Sequence, residues 1–162
     1  MSRATLSSMI EHRTQALATV FLTGEGNVEV IPFRELHGLE MICRILPQEE
    51  DAEMIFGVIH AGIGGPIVSE EWAETWLNTH SGVLKVGKRY PFPVLVLLFS
   101  MQSDAGVYSW RIEPVLDDDR PGLVLHERFS CEKATRASLD AILEKIRSWY
   151  DAYYRHVSRV ER

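Results

Sequence analysis

The stretch FGVIHAGIGGP, Phe56 to Pro66, begins as an apolar run and ends in a glycine-rich segment with a histidine at the join. Extended back through MIFGVIHA it is a nearly continuous apolar run of strand length, the pattern of a strand covered on both faces. It is therefore the expected centre of a sheet. Its far end allows three chemistries: a phosphate cradle, a metal ligand, or a catalytic strand that has lost its polar groups. GIGG, Gly62 to Gly65, matches neither GxxxxGK[ST] nor GxGxxG, and Pro66 to Ser69 separate it from the next helical segment. A permissive loop is the expected role of those glycines.

Outward from this strand, Gly38 to Leu46 alternates Leu39, Met41, Cys43 and Ile45 against Glu40, Ile42, Arg44 and Leu46, and PQEEDAE joins the two as a charged hairpin connection. VEVIPF before it is a short strand that Pro32 ends or places at an edge. Ser2 to Leu22 sets Leu6, Met9, Ile10, Leu17, Val20 and Phe21 at helical spacing. Downstream, Ser69 is the expected N-cap of EEWAETWLNTH, whose Glu70 and Glu71 suit the positive end of a helix dipole and whose Trp72, Trp76 and Leu77 form its apolar side. FPVLVLLF, Phe92 to Phe99, is the next buried strand; VYSWRIEPV and GLVLHERF follow as strands around the turn DDDRPG. Thr135 or Ser138 opens a last helix with the stripe Leu139, Ile142, Leu143, Ile146, Trp149 and Tyr153. Tyr150 and Tyr154, four apart, form a second ridge suited to a partner protein or a homodimer.

The 162 residues, 46% hydrophobic and 25% charged, suit one domain over 1–162 with a single organised interior. Several strands arrive before a helix intervenes, which predicts α/β (α+β) with a mixed central sheet flanked by helices. Seventeen Lys and Arg against 23 Asp and Glu give a net charge of −6, so any nucleic-acid contact is local. KVGKR, with Lys85, Lys88 and Arg89, is the densest basic cluster and the candidate DNA contact; an ordinary exposed loop has the same composition. Cys43 and Cys131 have no metal-ligand spacing and read as packed thiols of a reducing, cytoplasmic protein. No secretory signal and no apolar run of about 18 residues occurs, so no membrane partner is expected.

Five blocks in order, HGLEMICRI, FGVIHAG, WAETWLNTH, YPFPVLVLLF and VYSWRIEPV, resemble successive motifs of an uncharacterised prokaryotic family in the PD-(D/E)XK, or restriction-endonuclease-like, superfamily. That family reads as a "GID" strand, a "VQVK" strand, a helix with "YW…H", a "PVILVL" strand and a "YW" strand. The likeness spans about residues 5 to 115 and implies an αβββαβ core, here with an added β-hairpin and C-terminal helix. It also implies metal-assisted phosphodiester hydrolysis, with carboxylates holding Mg²⁺ and a lysine assisting the attacking water.

Carried over residue by residue, the aspartate of "GID" falls on Glu40, which keeps the carboxylate. "VQVK" falls on Val58-Ile59-His60-Ala61, so Ile59 stands where the acid belongs and Ala61 where the lysine belongs. Glu11 matches an extra helical acid of some members. The resemblance thus implies a pseudo-nuclease without a resident cofactor, acting by binding in a setting of prokaryotic defence or mobile DNA. The alternative is a Mg²⁺-dependent endonuclease with relocated groups drawn from Glu40, Glu11, Glu35, Lys85 and Lys88. His60 has two readings: a base or metal ligand set with Glu40 and His37, or a strand-end histidine hydrogen-bonded to backbone.

Overall fold

In the computed structural model, which describes residues 2–32, 38–47, 52–80 and 90–160, the chain runs α1 (Arg3–Thr23), β1 (Val28–Ile31), β2 (Met41–Ile45), β3 (Ile55–Ile63), α2 (Glu70–Thr79), β4 (Val94–Ser100), β5 (Gly106–Asp117), β6 (Arg120–Leu125), β7 (Glu132–Lys133) and α3 (Arg136–Val160). The fold is α+β, a mixed seven-stranded sheet flanked by helices, as the run of strands before the second helix predicts. Strand order is β1-β2-β3-β4-β5-β6, and β7 pairs with the start of β5. Among the described strands only β3 and β4 are parallel, and α2 lies between them in the chain. A tight turn cannot join parallel strands, so the helix supplies the crossover. β1 is the edge that Pro32 closes.

Alternation along β3 divides its side chains between two cores. Phe56 and Val58 pack with Leu95, Leu97, Ala18 and Leu22 of α1, and Leu143 and Ile146 of α3. Ile59 and Ile63 pack on the other face with Val96, Leu98, and Ala73 and Leu77 of α2. The turn at the tip of β5–β6 is narrower than DDDRPG: Asp118 and Asp119 alone have positive φ there, while Arg120 already pairs with Asp117. Two consecutive left-handed residues match the twist of the flanking strands.

α1 buries a different stripe from the one its large apolar residues trace. Thr14, Ala18 and Leu22 face the sheet, whereas Leu6, Met9 and Val20 are exposed. The cause is close approach. A Cβ built on Gly62 would lie 2.1 Å from Thr14 Oγ1 and 2.9 Å from Ile10 Cγ2, so helix and strand nearly touch and only small residues fit between them. Gly62 and Ile63 therefore belong to β3 and not to a permissive loop; that loop shrinks to Gly64 and Gly65, which have open space around them. α2 starts at its expected cap, the Trp72 N–H donating to Ser69 Oγ at 3.0 Å, but Ala73 and Leu77 carry its burial and Trp72 is exposed.

At α3 the cap is Thr135, whose Oγ1 accepts from the Ser138 N–H at 3.1 Å while the Thr135 N–H donates to Ser138 Oγ at 2.7 Å. The expected tyrosine ridge is not an exposed pair, since Tyr150 is buried and Tyr154 half-buried. Tyr150 is 5% exposed and donates to the Ile55 carbonyl at 2.6 Å; Tyr154 donates to the Glu53 carbonyl at 2.6 Å. The two hydroxyls tie α3 to the start of β3 and the segment before it. Tyr153, assigned to the buried stripe by spacing, is the exposed one.

Candidate functional site

Where α1 crosses β3, Glu11 of the helix lies within electrostatic reach of two polar residues, His60 on β3 and Glu40 just before β2. Glu40 precedes β2 and extends its ladder, its N–H donating to the Val58 carbonyl at 2.9 Å. His60 follows Phe56 and Val58 on the α1 face of β3, with Gly62 beyond it under Thr14. It lies within the strand and not at its end, since β3 continues to Ile63. Glu11 is carried by α1 between Ile10 and Thr14, the two residues that meet Gly62.

Electrostatics links the three. Partial burial, and secondarily the charge of Glu11, hold the Glu40 carboxyl above the usual carboxylate range. His60 is 7% exposed, and burial pushes its imidazole below the ordinary range. The Glu11 charge and a hydrogen bond to its own backbone act in the opposite direction without reversing that shift. At pH 7 the ring is thus neutral, with one nitrogen able to accept a proton or a metal. The backbone hydrogen bond is the feature that the plainer reading of this histidine expects. Among the described residues no three His, Cys, Asp or Glu side chains stand close enough to hold one metal ion. The link of Glu11 to Glu40 and His60 is electrostatic. Glu35, His37, Lys85, Lys88 and Arg89 lie outside the described residues.

The positions where the resemblance puts the acid and the lysine face the other way. Ile59 is fully buried in the core beneath α2, and Ala61 packs against the same core. Neither shares a face with His60 or with the residues of α1 that meet Gly62. An aliphatic side chain therefore does not intrude into the polar cluster; the side chain of β3 that occupies it is His60. The phosphate cradle also lacks support, because Glu70 and Glu71 occupy the first turn of α2 where an anion would sit. Cys43 and Cys131 are buried and unpaired, and burial raises both thiols to about 12, so they are packed and not activated.

Sequence reading missed a second polar network, between β5 and α3. Glu113 receives Lys145 Nζ at 2.8 Å on one oxygen and lies 3.0 Å from His126 Nε2 on the other. Tyr108 donates to Glu132, and Lys145 Nζ stands 5.9 Å from the centroid of the Trp110 ring. No motif spacing announces these pairs; the hydrogen-bonded ones are separated by 13 to 32 residues. Burial acts to raise the Glu113 carboxyl, but the hydrogen bonds from Lys145 and His126 outweigh it and hold the group below its ordinary range. A depressed carboxyl stabilises the fold above its unfolded pKa and stops doing so as pH falls through the folded one. Glu113→Gln is expected to lower Tm by about 3 °C at pH 7, and by progressively less below about pH 4. Thermal melts at pH 7, 5 and 3 check this; a gap that stays constant over that range would refute it.

Among the described residues no helix is long and apolar enough to cross a membrane. No protein-family model, no curated protein and no solved structure matches this chain.

Proposed function

We propose that this chain is a PD-(D/E)XK-like domain that has lost phosphodiester hydrolysis and acts by binding, to a partner protein or as a homodimer, in the cytoplasm of a prokaryote. Two features support the reading. The element order α1-β1-β2-β3-α2-β4, with an antiparallel β1-β2-β3 meander and a parallel β3–β4 pair, is compatible with the αβββαβ core that the sequence blocks imply. The observation that carries the loss of chemistry is the packing of Ile59 and Ala61 into the core beneath α2, which leaves β3 with neither an acid nor a lysine at those positions. Mg²⁺ takes oxygen ligands in a near-octahedral shell, and a neutral histidine beside two acids is a poor set for it. A role in defence or mobile DNA, and DNA contact through Lys85, Lys88 and Arg89, belong to the same proposal.

A second reading, a metal-dependent endonuclease with relocated groups, is favoured by one observation: the charge of Glu11 acts on both Glu40 and His60. One experiment separates the two. Purified protein and Glu40→Ala are incubated with supercoiled plasmid and with single-stranded DNA in Mg²⁺ or Mn²⁺. The expected result is intact DNA with both proteins. Metal-dependent cutting by the natural sequence that disappears in Glu40→Ala overturns the binding reading in favour of the second.

A further inference from the structure

The β5–α3 network borders a cleft of about 410 Å³, within the size range of small-molecule sites. Sheet topology produces it. β6 covers β5 from Ile112 to Asp117 and β7 covers it at Val107 and Tyr108, so among the described residues no strand pairs with Ser109 to Arg111 on that side. Between the two strands the chain is pinned by the His126 N–H donating to the Arg111 carbonyl at 2.9 Å, then leaves the sheet edge until β7. The cleft lies in this gap, with Trp110 and Tyr108 lining it from β5, Lys145 from α3, and His126 and Arg128 from the departing segment.

The balance of donors and acceptors in the cleft is unequal. Both oxygens of Glu113 are already engaged, by Lys145 and His126, and Glu132 accepts from Tyr108 on one oxygen, which leaves its other oxygen as the one carboxylate acceptor of the cleft without a partner among the described residues. The cations are not used up. An ammonium carries three N–H groups, and one of those of Lys145 is directed to Glu113. Arg128 has no ion-pair or hydrogen-bond partner among the described residues, so its whole planar fork is unspent. A cationic ligand would compete with Lys145 for Glu113, whereas an anion would meet donors with nothing to do. Glu113 and Glu132 offset Lys145 and Arg128 in formal charge, so the cleft suits one small anion and not a polyanion. The two aromatic rings add a flat apolar wall, against which a planar body gains contact area.

We propose that this cleft binds a small organic anion: a planar ring carrying one carboxylate or phosphate, the anionic group held between Arg128 and Lys145 and the ring placed along Trp110. This site is separate from the Glu11, Glu40 and His60 cluster and does not depend on the nuclease-like reading.

The test uses phenyl phosphate, benzoate and uncharged benzamide, titrated into the full chain and followed by calorimetry and by the indole N–H resonance of Trp110. Arg128 is exposed and makes no internal contact of this kind, so Arg128→Gln leaves Tm unchanged. The expected result is saturable binding of at least one anion with movement of the Trp110 signal, benzamide at least about tenfold weaker, and about tenfold loss in Arg128→Gln. The tighter of the two anions identifies the head group. The proposal is overturned by absence of saturable binding of either anion up to about 10 mM. It is equally overturned by benzamide binding as tightly as the anions, or by an Arg128→Gln protein of unaltered Tm that binds them as well as the natural sequence does.

Discussion

Ile59→Glu, which places an acid at the position indicated by the sequence blocks, is expected to unfold the protein or destabilise it by about 4 kcal/mol or more, without creating a metal site. Ile59 is 0% exposed and packs with Val96, Leu98 and Leu77 beneath α2. A carboxylate there has apolar neighbours and no donor, so it would either bury a charge or stay protonated beside a lost packing contact. His60→Glu makes the informative comparison, because position 60 lies on the face that receives the Glu11 charge. Chemical denaturation of both variants, with and without Mg²⁺, distinguishes the two faces of β3. If Ile59→Glu were as stable as the natural protein and gained stability from Mg²⁺, the assignment of Ile59 to the α2 core would be wrong.

Gly62→Ala is expected to cost about 2–3 kcal/mol, although alanine is the smallest possible addition and the better strand residue. The new methyl would lie 2.1 Å from Thr14 Oγ1 and 2.9 Å from Ile10 Cγ2, so α1 must move off β3. Thr14 cannot simply swing away, since its hydroxyl donates to the Ile10 carbonyl at 2.7 Å and the residue is 1% exposed. Thr14→Ala alone removes that bond and little volume, and is expected to cost under about 1.5 kcal/mol. In combination the two should be less harmful than their sum by about 1 kcal/mol, because the nearer clash is gone. Strict additivity in urea melts of the four proteins would show that helix and strand do not meet at this point. Glu11 and His60 sit beside this crossing, so the same displacement would loosen the polar cluster.

Much of the secondary structure was legible because it is a local property. The apolar run from Met54 to Ala61 has no side to leave wet, which makes it a central strand wherever it occurs. Ser69 before two glutamates marks a helix start because the backbone donors at that point need acceptors whatever else the chain does. The tyrosines of α3 were harder. Spacing distinguishes Tyr150 from Tyr153, but burial depended on which of them could reach the Ile55 carbonyl, 95 residues away in sequence. The large apolar residues of α1 misled for a related reason: a helix that touches a strand buries its small side and leaves Leu6, Met9 and Val20 outside.

A mixed sheet with β3 near its middle and helices on its faces follows from local pattern, because periodicity and capping act within a few residues. The sequence also put forward Glu11, Glu35, Glu40, His60, Lys85 and Lys88 as candidate site residues, of which Glu11, Glu40 and His60 fall among the described residues. That His60 turns toward α1 while Ile59 and Ala61 turn toward α2, and that Glu113, His126 and Lys145 meet beside a cleft, came from long-range packing. Alternation places neighbouring residues on opposite faces, but which helix covers each face is set by packing between segments far apart along the chain.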